Sequence, residues 1–110
     1  MDDLAALSAF SALSQQTRLD VFRLLVKAGG DGMLSGEISA HLDVRQNTMS
    51  ANLTVLLNAR LVRKERQGRT IRYFANFDTM HDLLGFLMED CCGGRPELCR
   101  PIIEKLSCVC

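Results

Sequence analysis

Residues Asn47 to Arg60 read NTMSANLTVLLNAR, and this stretch constrains the fold more than any other. Met49, Leu53, Leu56 and Leu57 recur at i, i+4, i+7 and i+8, the spacing of one face of a helix. The opposite face carries Asn47, Thr48, Ser50, Asn52 and Thr54, a front of small hydrogen-bonding side chains. Such a front suits a groove lined with donors and acceptors. A shorter periodic segment precedes it, running from a capping Ser35 through His41, with Ile38 and Leu42 pointing inward. Only the turn Leu42-Asp43-Val44-Arg45 separates the two. Two helices joined by so short a turn are a helix–turn–helix signal.

Two extended runs, LVRKER and RTIRYFAN, follow on either side of Gln67-Gly68. Val62 before the turn, and Ile71 and Tyr73 after it, supply apolar positions of period two, so the pair predicts a β-hairpin. A lone two-stranded hairpin is marginal in water, and this one must lean on the helices. Six basic residues, Arg60, Arg63, Lys64, Arg66, Arg69 and Arg72, fall between positions 60 and 72, opposed there only by Glu65. The whole chain has 13 basic and 13 acidic residues. Zero net charge speaks against a protein that coats nucleic acid, whereas a local basic patch is the footprint expected for phosphate contact. Strand alternation means that not all six cations can face a duplex.

The flanking segments are helical. Asp2 to Leu13 places Leu4, Leu7, Phe10 and Ser11 along one side, with acids near the positive end of the dipole. Ser14 is placed to cap Gln15 to Ala28, whose stripe is Leu19, Phe22, Leu25 and Val26, and Gly29-Gly30 stop it. A loop through Asp31, Gly32 and Met33 leads to the helix–turn–helix. Asp78 is placed to cap Thr79 to Asp90, where Met80, Leu83, Leu84, Leu87 and Met88 form a face wide enough for both the domain and a second subunit. Pro96 can open a last helix, kinked or interrupted at Pro101.

These elements predict a mainly α protein with a small β-hairpin. One domain is expected over residues 1–110: a helix–turn–helix at 35–60, a wing at 61–76, and a C-terminal helix with a cysteine-rich tail at 78–110. A chain of this size buries a modest fraction of its surface, which makes oligomerisation a natural way to complete its core. The acidic start MDDLAALSAF is unlike a signal peptide, and no apolar run approaches a membrane span, so a cytoplasmic protein is expected.

Three stretches carry a family resemblance: FSALSQQTRLDVFRLL from Phe10, GEISAHLDVRQNTMSANLTVL from Gly36, and ARLVRKERQGRTIRYF from Ala59. Together they resemble the ArsR/SmtB family of metal-sensing repressors, whose fold is the winged helix-turn-helix. The resemblance implies a homodimer built through the N- and C-terminal helices and bound to double-stranded operator DNA of inverted-repeat form. It also implies release when a toxic metal or metalloid binds. Where the family often has a serine, Arg45 stands here. The thiol pair that many members carry around Met33 to Glu37 is missing from MLSGE, and the last long helix has Asp78, His81 and Asp82 but no second histidine.

For DNA, Gln46, Asn47, Thr48, Ser50 and Asn52 are the candidates for base edges, since amide side chains match adenine with a donor and an acceptor together. No basic residue occurs between Gln46 and Ala59, so phosphate contacts fall to Arg45 and to Arg66, Arg69 and Arg72 of the wing.

For sensing, all five cysteines lie in the last 20 residues. An odd number in a cytoplasmic chain is poorly explained by structural disulfides. Thiolates select soft ions. Cys91, Cys92 and Cys99 can supply the three sulfurs that trivalent arsenic takes, with Gly93-Gly94 letting the chain turn back. The family resemblance implies a response to arsenic(III), as arsenite, through such C-terminal thiols, with antimonite a similarly soft candidate. Cys108 and Cys110 leave a four-sulfur zinc or cadmium site, or a redox pair, open. No cofactor is expected to be needed for folding. A thiol enzyme is not expected, because these cysteines follow a helix C-terminus, whose negative end disfavours the thiolate.

Overall fold

In the computed structural model, residues 1–89 and 96–106 are described, apart from the side chains of Pro96, Leu98, Cys99, Ile103 and Leu106. The order is α1 (Asp3–Leu13), α2 (Gln16–Ala28), a 3₁₀ turn (Gly29–Asp31), β1 (Met33–Leu34), α3 (Ser35–Leu42), α4 (Gln46–Asn58), β2 (Val62–Gln67), β3 (Thr70–Ala75), α5 (Phe77–Leu87) and α6 (Pro96–Leu106). The expected mainly helical architecture with a hairpin is present. Pro101 lies inside α6, which continues through it instead of stopping.

The core is built where α2, α3 and α4 meet the base of the hairpin. Val21, Leu25, Ile38, Met49, Leu53, Leu56 and Leu61 are all but fully buried there. Met49, Leu53 and Leu56 confirm the face expected of α4, while Leu57 is only half-buried.

The first helix turns alanines, not Leu4 and Leu7, to the core. Ala6, Ala9 and Ala12 face the core, whereas Leu4, Leu7 and Phe10 are 78%, 63% and 42% exposed. Small side chains let α1 lie close against α2 and α4, and interaxial distance depends on the residues at the contact. A similar excess occurs on α5, where Leu83 is buried but Leu84 and Leu87 are exposed.

The sheet has three strands, in the order β1-β3-β2, all antiparallel. Met33 pairs with Tyr73 and Leu34 with Arg72, so the segment expected as loop adds a third strand. Two residues are too few to show a period, but they pair the outer edge of β3 and tie the hairpin to the start of α3.

Caps differ too. Gln15 rather than Ser14 caps α2, its Oε1 accepting from Arg18 N–H at 2.9 Å. The Ser14 hydroxyl instead donates to Ser11 C=O at 2.7 Å. Ser35 is the first residue of α3, and the Glu37 carboxylate reaches back to accept from Leu34 N–H at 2.8 Å. Asn76, not Asp78, caps α5 through Thr79 N–H.

Candidate nucleic-acid interface

Helix α4 starts at Gln46 because Asp43 adopts the left-handed conformation, ending α3, and Arg45 is extended. No side chain caps α4 from Arg45. The Asn47 Oδ1 accepts from Thr48 N–H at 2.9 Å, and Met49 N–H bonds Arg45 C=O at 2.8 Å. Arg45, Gln46, Asn47, Thr48, Ser50 and Thr54 are exposed. The Gln46 amide donates to the Ser35 hydroxyl at 3.0 Å, bracing the start of α4 against the start of α3. The Thr54 hydroxyl donates to Ser50 C=O at 3.0 Å, leaving Ser50's own hydroxyl on the surface.

Asn52 does not belong to this front. It is 8% exposed, and its Oδ1 accepts from Arg18 Nη1 at 3.4 Å. At 100° per residue, position 52 lies beside Leu53 and one turn from Met49, on the flank of the buried stripe. Its amide is therefore unavailable to a base.

The wing sorts its cations by strand face. Val62, Lys64 and Arg66 alternate with Arg63 and Glu65 along β2, and Arg66 lies opposite Ile71 of β3. Arg63 sits 4.2 Å over the Phe74 ring and bonds Glu65 at 2.8 Å. Arg72 is also committed: its Nη1 donates to Asp31 C=O at 3.2 Å and Gly32 C=O at 3.5 Å, and its Nε donates to Gln67 Oε1 at 3.1 Å. The Glu37 carboxylate is 3.8 Å from the same guanidinium. Arg72 is thus half-buried, and its guanidinium is engaged in holding β1 and the hairpin together. Arg66 and Arg69 are exposed at and beside the hairpin tip, with Arg66 Nε reaching Gly68 C=O at 3.3 Å. These two and Arg45 are the exposed members of the expected phosphate contacts.

One consequence is measurable. Arg69→Ala lowers the log–log salt slope of DNA binding by about one unit, whereas Arg72→Ala lowers the melting temperature and leaves the slope near that of the parent. Titrations at several salt concentrations separate the two.

Sequence reasoning missed Arg18. Its Nε donates to Ala12 C=O at 2.7 Å while its Nη1 holds Asn52. Nothing in the local pattern announces this, because the two acceptors lie 6 residues before and 34 residues after it.

Among the expected ligands, Cys91, Cys92, Cys108 and Cys110 lie outside the described residues, as does the side chain of Cys99, whose backbone is part of α6. Among the described residues no group of three His, Cys, Asp or Glu side chains could hold a metal ion, and no helix is long and apolar enough to cross a membrane.

A helix-turn-helix domain family matches residues 13–65, which span α2 to β2. The transcriptional repressor SdpR of Bacillus subtilis is 30% identical over 81 residues, covering 74% of this chain and 87% of that protein. Among solved structures, an ArsR-like transcriptional regulator from Rhodococcus sp. RHA1 superposes with a TM-score of 0.70 at 22% identity, covering 97% of this chain and 96% of that one. The homodimeric winged helix-turn-helix DNA-binding domain of a possible ArsR-family regulator from Mycobacterium bovis gives 0.64 at 22% identity, with 78% and 80% covered. Its relatives are transcriptional regulators rather than enzymes. Hairpin, helix–turn–helix and relative agree: the chain belongs to the family of helix-turn-helix transcriptional repressors that includes SdpR, and its fold is the winged helix-turn-helix seen in ArsR-like regulators.

Proposed function

We propose that this regulator is the cytoplasmic repressor of a metalloid-resistance operon. In this reading it binds an inverted-repeat operator as a homodimer and leaves it when arsenite or antimonite occupies Cys91, Cys92 and Cys99. The observation that carries the reading is the confinement of all five thiols to the last 20 residues, beyond the end of α5. The exposed apolar faces of α1 and α5, with Leu4, Leu7 and Phe10 on one and Leu84 and Leu87 on the other, support dimerisation through these helices. Large exposed apolar patches on a small domain mark association surfaces.

In this mechanism α5 passes the signal. Thiolate capture of the metalloid draws the segment after α5 together and shifts that helix within the dimer. The two recognition helices then no longer match half-sites whose spacing the duplex fixes. Linkage makes the effect reciprocal, so operator DNA weakens metalloid binding by the same factor.

Thiol counting tests the ligand set. Titration of the reduced protein with arsenite, followed by quantification of thiols that resist alkylation, is expected to show three protected thiols per subunit, and a Cys108→Ser/Cys110→Ser variant the same three. Four protected thiols would replace the metalloid with a tetrahedral ion such as zinc or cadmium as the fitted ligand. Two would point to a monomethyl arsenical, which needs only two thiols.

A further inference from the structure

Arg18 joins three helices through one guanidinium. It stands in the first turn of α2, with Nε on Ala12 C=O at 2.7 Å and Nη1 on Asn52 Oδ1 at 3.4 Å. Ala12 belongs to the last turn of α1, where carbonyls have no donor within their own helix, and a cation there also suits the negative end of the dipole. Asn52 lies on the inner flank of α4, where burying an amide is unfavourable unless it is bonded. The guanidinium is planar and rigid, so it fixes the relative position of both acceptors. The neighbouring contacts of α4, through Met49, Leu53 and Leu56, are apolar and non-directional. They hold the helix against the core but tolerate small rotations about its axis.

We infer that Arg18 is a positioning residue for sequence recognition: it locks the rotation of α4 to α1. The inference rests on the reading of α1 as part of the dimer frame. With α1 held by the partner subunit through Leu4, Leu7 and Phe10, the fork of Arg18 transmits that frame to the helix whose Asn47, Thr48 and Ser50 face the major groove. Discrimination between DNA sequences then depends on a side chain turned into the protein. Attraction to phosphate, supplied by Arg45, Arg66 and Arg69, does not.

The test uses the full chain and two duplexes of equal length, one enriched by the wild-type protein from a random-sequence pool and one unrelated. Arg18→Ala is expected to bind the enriched duplex about tenfold more weakly or worse, and the unrelated duplex within about twofold of wild type. Arg18→Lys recovers the melting temperature, because an ammonium can still hold Ala12 C=O, but not the discrimination, because it lacks the fork. Asn52→Leu reproduces the loss, and adding it to Arg18→Ala costs nothing more, as expected for partners in one interaction. Full discrimination in Arg18→Lys, or parallel losses on both duplexes, overturns the inference alone. A wild-type chain that enriches no duplex overturns the recognition reading and the inference with it.

Discussion

Gly32→Ala is expected to destabilise the protein by about 3 kcal/mol, lowering its melting temperature by roughly 10–20 °C. Gly32 has φ +59° and ψ −170°, a region essentially reserved for glycine. An added Cβ would also lie 2.6 Å from Tyr73 C=O and 2.7 Å from the Phe74 ring. The carbonyl belongs to β3, which cannot retreat without breaking its pairing with β1 or β2. Set against the ~5–15 kcal/mol that holds a typical domain folded, the loss is a large share of the total. Gly29→Ala is the control. Its φ is +60°, but nothing lies within 4 Å of the new methyl group, so it carries backbone strain without the clash and should cost visibly less. Calorimetric melting of the two variants side by side settles the comparison. Equal losses would show that strain alone accounts for Gly32. The site matters for function because Gly32 immediately precedes the strand that anchors the wing, and its carbonyl accepts from Arg72.

That anchor shows where the sequence stops being legible. The helices were readable because apolar residues repeat over several turns, and α4 keeps Met49, Leu53 and Leu56 inside as the period demands. The hairpin was readable from Gln67-Gly68 between two alternating runs. Strand β1, with Met33 and Leu34 alone, has no period to detect. Periodicity also identifies two faces of a helix without saying which one the core will take. In α1 the alanines go inward and the leucines outward, since close approach to α2 and α4 outweighs leaving Leu4 and Leu7 exposed on one chain. Asn52 fails for a related reason. A polar residue beside an apolar stripe reads as surface unless its partner is known, and Arg18 is remote in sequence. Arg72 is the same case on the wing, where composition counts a cation and the structure uses it as a strut.

The candidate interface is consequently narrower than composition suggests. It comprises Arg45, Gln46, Asn47, Thr48 and Ser50 on and before α4, with Arg66 and Arg69 at the wing. None of these is a cysteine, and no thiol occurs between Met1 and Asp90. The account therefore assigns reading and sensing to different parts of the chain, joined through α5. In this it departs from an arrangement in which the ligand binds the helix–turn–helix itself, where removal of a sensing residue disturbs the reading surface directly.

Cys92→Ser is the variant on which that separation bears most heavily. Serine is nearly isosteric with cysteine but offers a hard hydroxyl in place of a soft thiolate. At the proposed three-sulfur site, loss of one sulfur would leave the metalloid two ligands. A coupling of ordinary size, about 1–3 kcal/mol, is abolished when its ligand no longer binds. The decisive measurement is an arsenite titration of wild type and Cys92→Ser, each pre-bound to the same enriched duplex and followed by fluorescence anisotropy. The account predicts equal affinity for DNA in the absence of arsenite, release of the wild-type protein, and a variant that stays bound throughout the range that frees the wild type. A variant that binds DNA poorly before any arsenite is added, or that is released alongside the wild type, would contradict it.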